Sequence, residues 1–138
     1  MTPTTVPTAR LTAADLTLAD VEALIGFIEL KVSGLLAEHS PDSDAWKAVL
    51  GLRLALNYQA KRVREAYGRA DYSIEMVQTR LRQWNRLTVL ALGWATDAGY
   101  DERWKIVNHP DAEGAAIHAA LMGRSLPAAP AYPGRARR

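Results

Sequence analysis

Apolar residues recur every three to four positions along most of the chain, a spacing that predicts amphipathic α-helices. Thr17 precedes the first apolar stripe, and Asp20 follows three residues later, a pattern typical of a side-chain N-cap. Pro41 is expected to stop this helix shortly after His39. The stripe consists of Leu18, Val21, Ile25, Ile28, Val32 and Leu35.

Two more long helices follow, joined by a short link. The second is expected to begin at Asp42 or Ser43 and to run to about Tyr67. The third is expected to begin at Asp71 or Ser73 and to end at Ala98, before Gly99. The apolar stripe of the second comprises Val49, Leu52, Leu56, Val63 and Tyr67, and that of the third comprises Ile74, Val77, Leu81, Trp84, Ala91 and Ala95.

The short link favours an antiparallel hairpin of the second and third helices. This geometry places residues 46–56 beside residues 87–95, and both stretches are apolar nearly all round. Residues 46–56 and 87–95 together form what we call the apolar base of the hairpin. Two short C-terminal helices, about 101–108 capped by Asp101 and 111–122 capped by Asp111, are expected to cover part of it. The sequence therefore predicts an all-α fold: a small helical bundle with an antiparallel hairpin, a third long helix and short C-terminal helices.

Composition divides the chain into a helical domain and two arms. At 138 residues the chain fits a single domain, which we place at 11–124. Residues 1–10 and 125–138 are rich in proline and lack periodicity. They are predicted to form a flexible N-terminal arm and a flexible Pro/Arg-rich C-terminal tail.

Charge is distributed in opposed blocks. Residues 1–45 carry two basic and seven acidic side chains, whereas residues 46–90 carry nine basic and three acidic ones. The net charge of +2 conceals this contrast. Opposed blocks favour self-complementary packing, within one chain or between copies, and the basic block could also meet a polyanion.

The basic block concentrates at the predicted tip of the hairpin, which suits contact with phosphates. Three tyrosines, Tyr58, Tyr67 and Tyr72, lie near enough in the sequence to stack on bases. The alternative is a solvated helix face, or a face that pairs with the acidic first helix of the same or another copy. The nucleic-acid candidates are Lys61, Arg62, Arg64, Arg69, Arg80, Arg82 and Arg86.

The apolar base supplies the candidates for a protein interface. Trp94 lies off the stripe of the third helix, beside Leu90, and an off-stripe tryptophan is a reasonable interface anchor. Burial under the C-terminal helices is the competing interpretation. The interface candidates are Trp46, Leu90, Trp94 and Trp104.

No catalytic or metal-binding motif accompanies these surfaces. Cysteine is absent, and none of the three histidines belongs to an HExxH or ExxH pattern. We therefore expect no enzyme activity, no cofactor, no metal and no small-molecule substrate. Neither a signal peptide nor a membrane-spanning stretch is visible, so we expect a cytoplasmic location, or assembly in a particle made in the cytoplasm, without a membrane partner.

Two short stretches resemble known helical proteins. Leu87–Lys105, LTVLALGWATDAGYDERWK, resembles the ending of some small uncharacterised actinobacterial proteins. Leu52–Arg62, LRLALNYQAKR, resembles a helix in the small subunits of CRISPR effector complexes. Each match covers fewer than twenty residues, and we transfer no function from either.

The preferred hypothesis is a non-catalytic assembly or adaptor subunit that acts by helix packing, through self-association or inside a larger protein assembly. Small helical virion subunits share this general build, an analogy of architecture only. The alternative is a nucleic-acid-binding protein, or a small helical subunit of a ribonucleoprotein, that uses the basic tip.

Overall fold

A computed structural model describes residues 13–108 and 110–121, and within these ranges the protein is helical. Three helices, α1 (Leu18–Glu38), α2 (Asp44–Tyr67) and α3 (Ile74–Ala91), pack against one another, and α4 (Pro110–Leu121) packs on α3. A short 3₁₀ turn, Leu92–Trp94, follows α3 directly. No strand occurs in the described ranges, so the prediction of an all-α bundle is confirmed.

Side-chain caps fix where the long helices begin. Thr17 and Asp20 form a reciprocal capping box: the Thr17 hydroxyl accepts the Asp20 N–H at 3.3 Å, and the Asp20 carboxylate accepts the Thr17 N–H at 2.9 Å. Ser43 caps α2 and Ser73 caps α3, each accepting a backbone N–H three residues on. Thr17 is thus confirmed as a cap, and of the two candidates predicted at each later start the serine is the cap, not Asp42 or Asp71.

The core lies between α1, α2 and α3. Trp84 at the middle of α3 is completely buried, and aliphatic side chains of the other two helices surround it. Burial of such side chains is the main favourable term in folding. The fully buried members are Val21, Leu24, Ile25, Ile28, Val32, Leu56, Val63, Leu81, Trp84, Leu87 and Val107.

The second and third helices form the predicted antiparallel hairpin. The Gln59 side chain donates a hydrogen bond to the Gln83 side chain, and the Arg80 guanidinium reaches the Ala66 carbonyl at 2.9 Å. Residues later on α2 thus meet residues earlier on α3, as antiparallel helices require.

The third helix ends at Ala91, not at Ala98 as predicted. Beyond Ala91 the backbone tightens into i→i+3 hydrogen bonds, including Asp97 N–H to the Trp94 carbonyl at 2.9 Å. Lys31 of α1 then holds the Asp97 side chain at 2.7 Å, and Gly99 reverses the chain with a φ of +88°. In this segment i→i+3 bonds take the place of the i→i+4 bonds of α3, and the ion pair of Asp97 with Lys31 holds the turns against α1.

Residues 101–108 do not form the predicted helix: a turn at residues 102–103 is followed by irregular backbone, which side chains of α3 hold in place. Trp84 Nε1 donates to the Lys105 carbonyl at 2.8 Å. The Asn85 amide donates to the Val107 carbonyl at 3.1 Å and accepts the Val107 N–H at 2.9 Å. Backbone groups engaged in this way are not available for a helical ladder.

The last helix begins at Pro110, one residue before the predicted cap Asp111, and ends at Leu121. Proline suits a first helical position because the N–H that it lacks would have no partner in the helix there. The predicted arms, 1–10 and 125–138, lie outside the described residues. Among the described helices, none combines the length and apolar character needed to cross a membrane.

Candidate functional site

A large apolar groove lies between the end of α3 and residues 100–106. Its volume is about 780 Å³. We call it the apolar groove; its apolar lining consists of Val89, Leu92, Ala95, Tyr100, Trp104 and Ile106.

Three aliphatic side chains of the apolar groove stay open to solvent. Val89 is 57% exposed, Leu92 is 62% exposed and Ile106 is 55% exposed. Single exposed aliphatic residues are ordinary on protein surfaces, but adjacent ones around a concavity are typical of interaction sites.

The fold builds the floor of the apolar groove from aromatic side chains. The Trp104 ring lies 5.1 Å from that of Phe27 and 5.2 Å from that of Tyr100, measured between ring centroids. The Trp84 indole N–H donates a hydrogen bond to the carbonyl of the neighbouring residue, Lys105. Because Phe27 and Trp84 belong to the buried core, the groove belongs to a packed part of the molecule.

The four predicted interface residues do not form one surface. Trp104, one of the interface candidates, is buried and lines the apolar groove from its floor. Leu90 and Trp94 are half-buried against the core, and neither lines the apolar groove. Trp46 is half-buried in the first turn of α2, where Ser43 caps its N–H.

Residues that the sequence interpretation did not single out line the groove instead. Val89 and Leu92 belong to the stretch 87–95, whose all-round apolar character was the available signal. Ile106 carried no such signal, since its position depends on the irregular path that residues 101–108 follow instead of the predicted helix.

The rim of the apolar groove carries both signs of charge. Glu102, Arg103 and Lys105 line it. The Arg103 guanidinium donates to the Asp101 carboxylate at 2.8 Å, and this bond holds the pKa of Asp101 below its usual value. The rim is therefore polar around an apolar centre, the arrangement seen in protein interfaces.

A second groove, between α2 and α3, is basic. Its volume is about 470 Å³. We call it the basic groove. Three of the predicted nucleic-acid residues, Lys61, Arg62 and Arg69, line it together with Tyr58, and Glu65 is its acidic residue among the described side chains.

Arg64 is a predicted nucleic-acid residue that is engaged elsewhere in the chain. Its guanidinium makes two hydrogen bonds to the Glu22 carboxylate of α1, at 2.7 and 2.8 Å. These bonds hold the pKa of Glu22 below its usual value and raise that of Arg64. The acidic first helix and the basic second helix therefore complement each other within one chain.

Arg80 is buried, which corrects its assignment to the exposed tip. Its guanidinium donates to the carbonyl of Ala66, in the last turn of α2, and to that of Arg69, in the link that follows. The rings of Tyr67 and Tyr72 lie 5.9 and 5.2 Å from it. Arg80 thus provides hydrogen bonds to carbonyls at and just after the end of α2, and its role is structural.

The remaining two arginines lie on α3 near the basic groove. Arg82 donates to the Thr79 hydroxyl at 3.1 Å, and Thr79 lines the groove. Arg86 is exposed one turn further along and does not line it.

The three tyrosines proposed for base stacking differ in how far their rings are exposed to solvent. Tyr58 is 63% exposed, and the Arg62 guanidinium lies 5.8 Å from its ring centroid. Tyr67 is largely enclosed, and burial raises the pKa of its hydroxyl. Tyr72 packs on Arg80. Tyr58 is therefore the tyrosine that can meet a ligand in the basic groove.

Within residues 13–108 and 110–121, no three acidic or histidine side chains converge in a way that could hold a metal ion. Comparison with family models, curated proteins and solved structures gave no significant match to this chain. Its function is therefore inferred from the two grooves.

Proposed function

We propose that this protein is a non-catalytic assembly subunit that associates with a second copy of itself through the apolar groove. One observation carries the proposal: Val89, Leu92 and Ile106, each more than half exposed, surround a concavity of about 780 Å³. Bringing such surface together removes it from water, which is the dominant driving force of protein association. A component of a larger particle would use the same surface.

The charges at the rim favour a second copy as the occupant. In a two-fold contact, residues near the symmetry axis meet their own counterparts, and any other residue meets a different residue of the second copy, with the reverse contact following by symmetry. The rim carries the acidic Glu102 and the basic Lys105 on the same groove. Two such rims placed face to face can therefore match each charge with its opposite.

The charge blocks of the sequence support self-association less directly. Part of their complementarity is used inside the chain by the bonds between Glu22 and Arg64. The apolar groove, rather than the acidic and basic blocks, is therefore the feature on which we base the interface.

Replacing Leu92 with aspartate is expected to dissociate the oligomer. The change removes a side chain that the contact would bury and places a carboxylate in an apolar interface, a loss of about 2 kcal/mol or more. That corresponds to a dissociation constant at least ~30-fold higher. Size-exclusion chromatography with light scattering, over a range of concentrations, measures it.

Leu54 provides the matched control. It is 60% exposed on α2, close to the 62% of Leu92, but it does not line the apolar groove. Leu54→Asp should leave the oligomer intact. A wild-type protein that stays monomeric at all accessible concentrations, or equal dissociation of both variants, would contradict the proposal.

A further inference from the structure

The basic groove has an excess of positive charge in a concave site. Lys61, Arg62 and Arg69 line it, against the single carboxylate of Glu65 among the described lining residues. Neither Lys61 nor Arg69 forms an ion pair with a described residue. The groove thus differs from the Glu22–Arg64 contact, where the arginine already has its counter-ion.

An aromatic side chain accompanies these cations. Tyr58 lines the same groove and is 63% exposed. The Arg62 Nη1 group donates to the Tyr58 hydroxyl at 3.1 Å, which fixes the guanidinium beside the ring. Cations that follow a backbone, combined with an aromatic ring that offers a stacking surface, are the two components of single-strand recognition.

We propose that the basic groove binds single-stranded nucleic acid. Lys61, Arg62 and Arg69 contact successive phosphates, and a base stacks on Tyr58. Arg82, bonded to Thr79 at the rim, adds positive charge where the strand leaves the groove.

The shape of the groove favours a single strand over a duplex. Its volume of about 470 Å³ lies between two packed helices. Recognition of the bases of a duplex requires a protein element that projects into its major groove, whereas here the charges line a concavity. A flexible strand can enter this concavity and splay a base onto the ring.

The basic groove is independent of the apolar groove. It lies along the first half of α3, at Met76, Thr79 and Gln83, whereas the apolar groove involves Val89 and Leu92 at the other end. Loss of one activity therefore leaves the other open to measurement.

The test is fluorescence anisotropy of the full chain with a labelled oligothymidylate of about 15 nucleotides, titrated at several salt concentrations. Three phosphate contacts predict a slope of log K against log salt of about −2. The double variant Lys61→Ala/Arg62→Ala should weaken binding on the order of 10-fold at low salt. It should also reduce the slope to about −0.7.

The chain offers a matched control on the same helix. Lys47 and Arg53 are exposed on α2 outside the basic groove, so Lys47→Ala/Arg53→Ala removes the same charge without touching the site. Its affinity should stay within about 2-fold of wild type. Circular dichroism of each variant verifies that it is folded.

Substitutions of Tyr58 distinguish the binding of nucleic acid from the binding of other polyanions. Tyr58→Ala should weaken oligothymidylate binding about 5-fold or more, and Tyr58→Phe should retain it because the ring remains. Heparin binding should not respond to either change. Absence of binding at low salt, equal losses in both double variants, or indifference of oligothymidylate to Tyr58→Ala would overturn the proposal.

Discussion

Replacing Trp84 with alanine is expected to lower the free energy of unfolding by about 3–5 kcal/mol, the largest single effect that we predict. Trp84 is completely buried at the centre of the bundle, and its Nε1–H donates to the Lys105 carbonyl. Alanine leaves a cavity in the core and a carbonyl without its donor. Urea denaturation followed by far-UV circular dichroism measures the change.

Trp84→Phe separates packing from hydrogen bonding. Phenylalanine keeps most of the apolar volume but cannot donate to Lys105, so we expect a smaller loss of about 1–2 kcal/mol. A loss below about 1 kcal/mol for Trp84→Ala would contradict the central place of this side chain in the fold.

Replacing Arg80 with alanine should destabilise the protein by about 2–4 kcal/mol. The change removes two charged hydrogen bonds to the carbonyls of Ala66 and Arg69, and the contacts with the rings of Tyr67 and Tyr72. The Ala66 carbonyl in the last turn of α2 and the Arg69 carbonyl in the link then lose their donor, since alanine has no group that can replace the guanidinium. Thermal and urea unfolding both measure the effect.

Arg82 is the control for this prediction. It lies two residues further along α3, is only partly buried, and donates to the Thr79 hydroxyl. Arg82→Ala should change stability by less than about 0.5 kcal/mol. If the two variants were equally stable, Arg80 would be a surface residue and our assignment of it to the core would be wrong.

Local signals in the sequence were sufficient for the starts of the three long helices. Thr17, Ser43 and Ser73 each cap a helix through their own hydroxyl, and the bond involves only residues three positions away. Such an interaction depends on neighbouring residues alone, so the sequence pattern predicts it. The apolar stripes likewise predicted which faces meet in the core.

The end of α3 and the path of residues 101–108 could not be predicted in this way. The sequence favoured helix in both places, and contacts distant in the sequence override it. Asp97 pairs with Lys31, and the side chains of Trp84 and Asn85 bond the backbone of Lys105 and Val107. Local periodicity contains no information on such partners.

The candidate sites show the same division. The sequence placed seven basic residues near one end of the hairpin, and three of them line the basic groove. It could not show that Arg80 turns inward to the end of α2, or that Arg64 reaches Glu22 on α1. A long flexible side chain can reach several partners, and the tertiary structure determines which of these partners lies close to it.

Self-association through the apolar groove is the central claim, and cysteine cross-linking tests it most directly. The chain has no cysteine, so Leu92→Cys introduces one reactive position per copy, and Leu54→Cys provides an equally exposed control. With a bismaleimide long enough to span the apolar groove, at low protein concentration, we predict cross-linked dimers of Leu92→Cys and single chains of Leu54→Cys. Equal cross-linking of both variants, or none of Leu92→Cys, would contradict the claim.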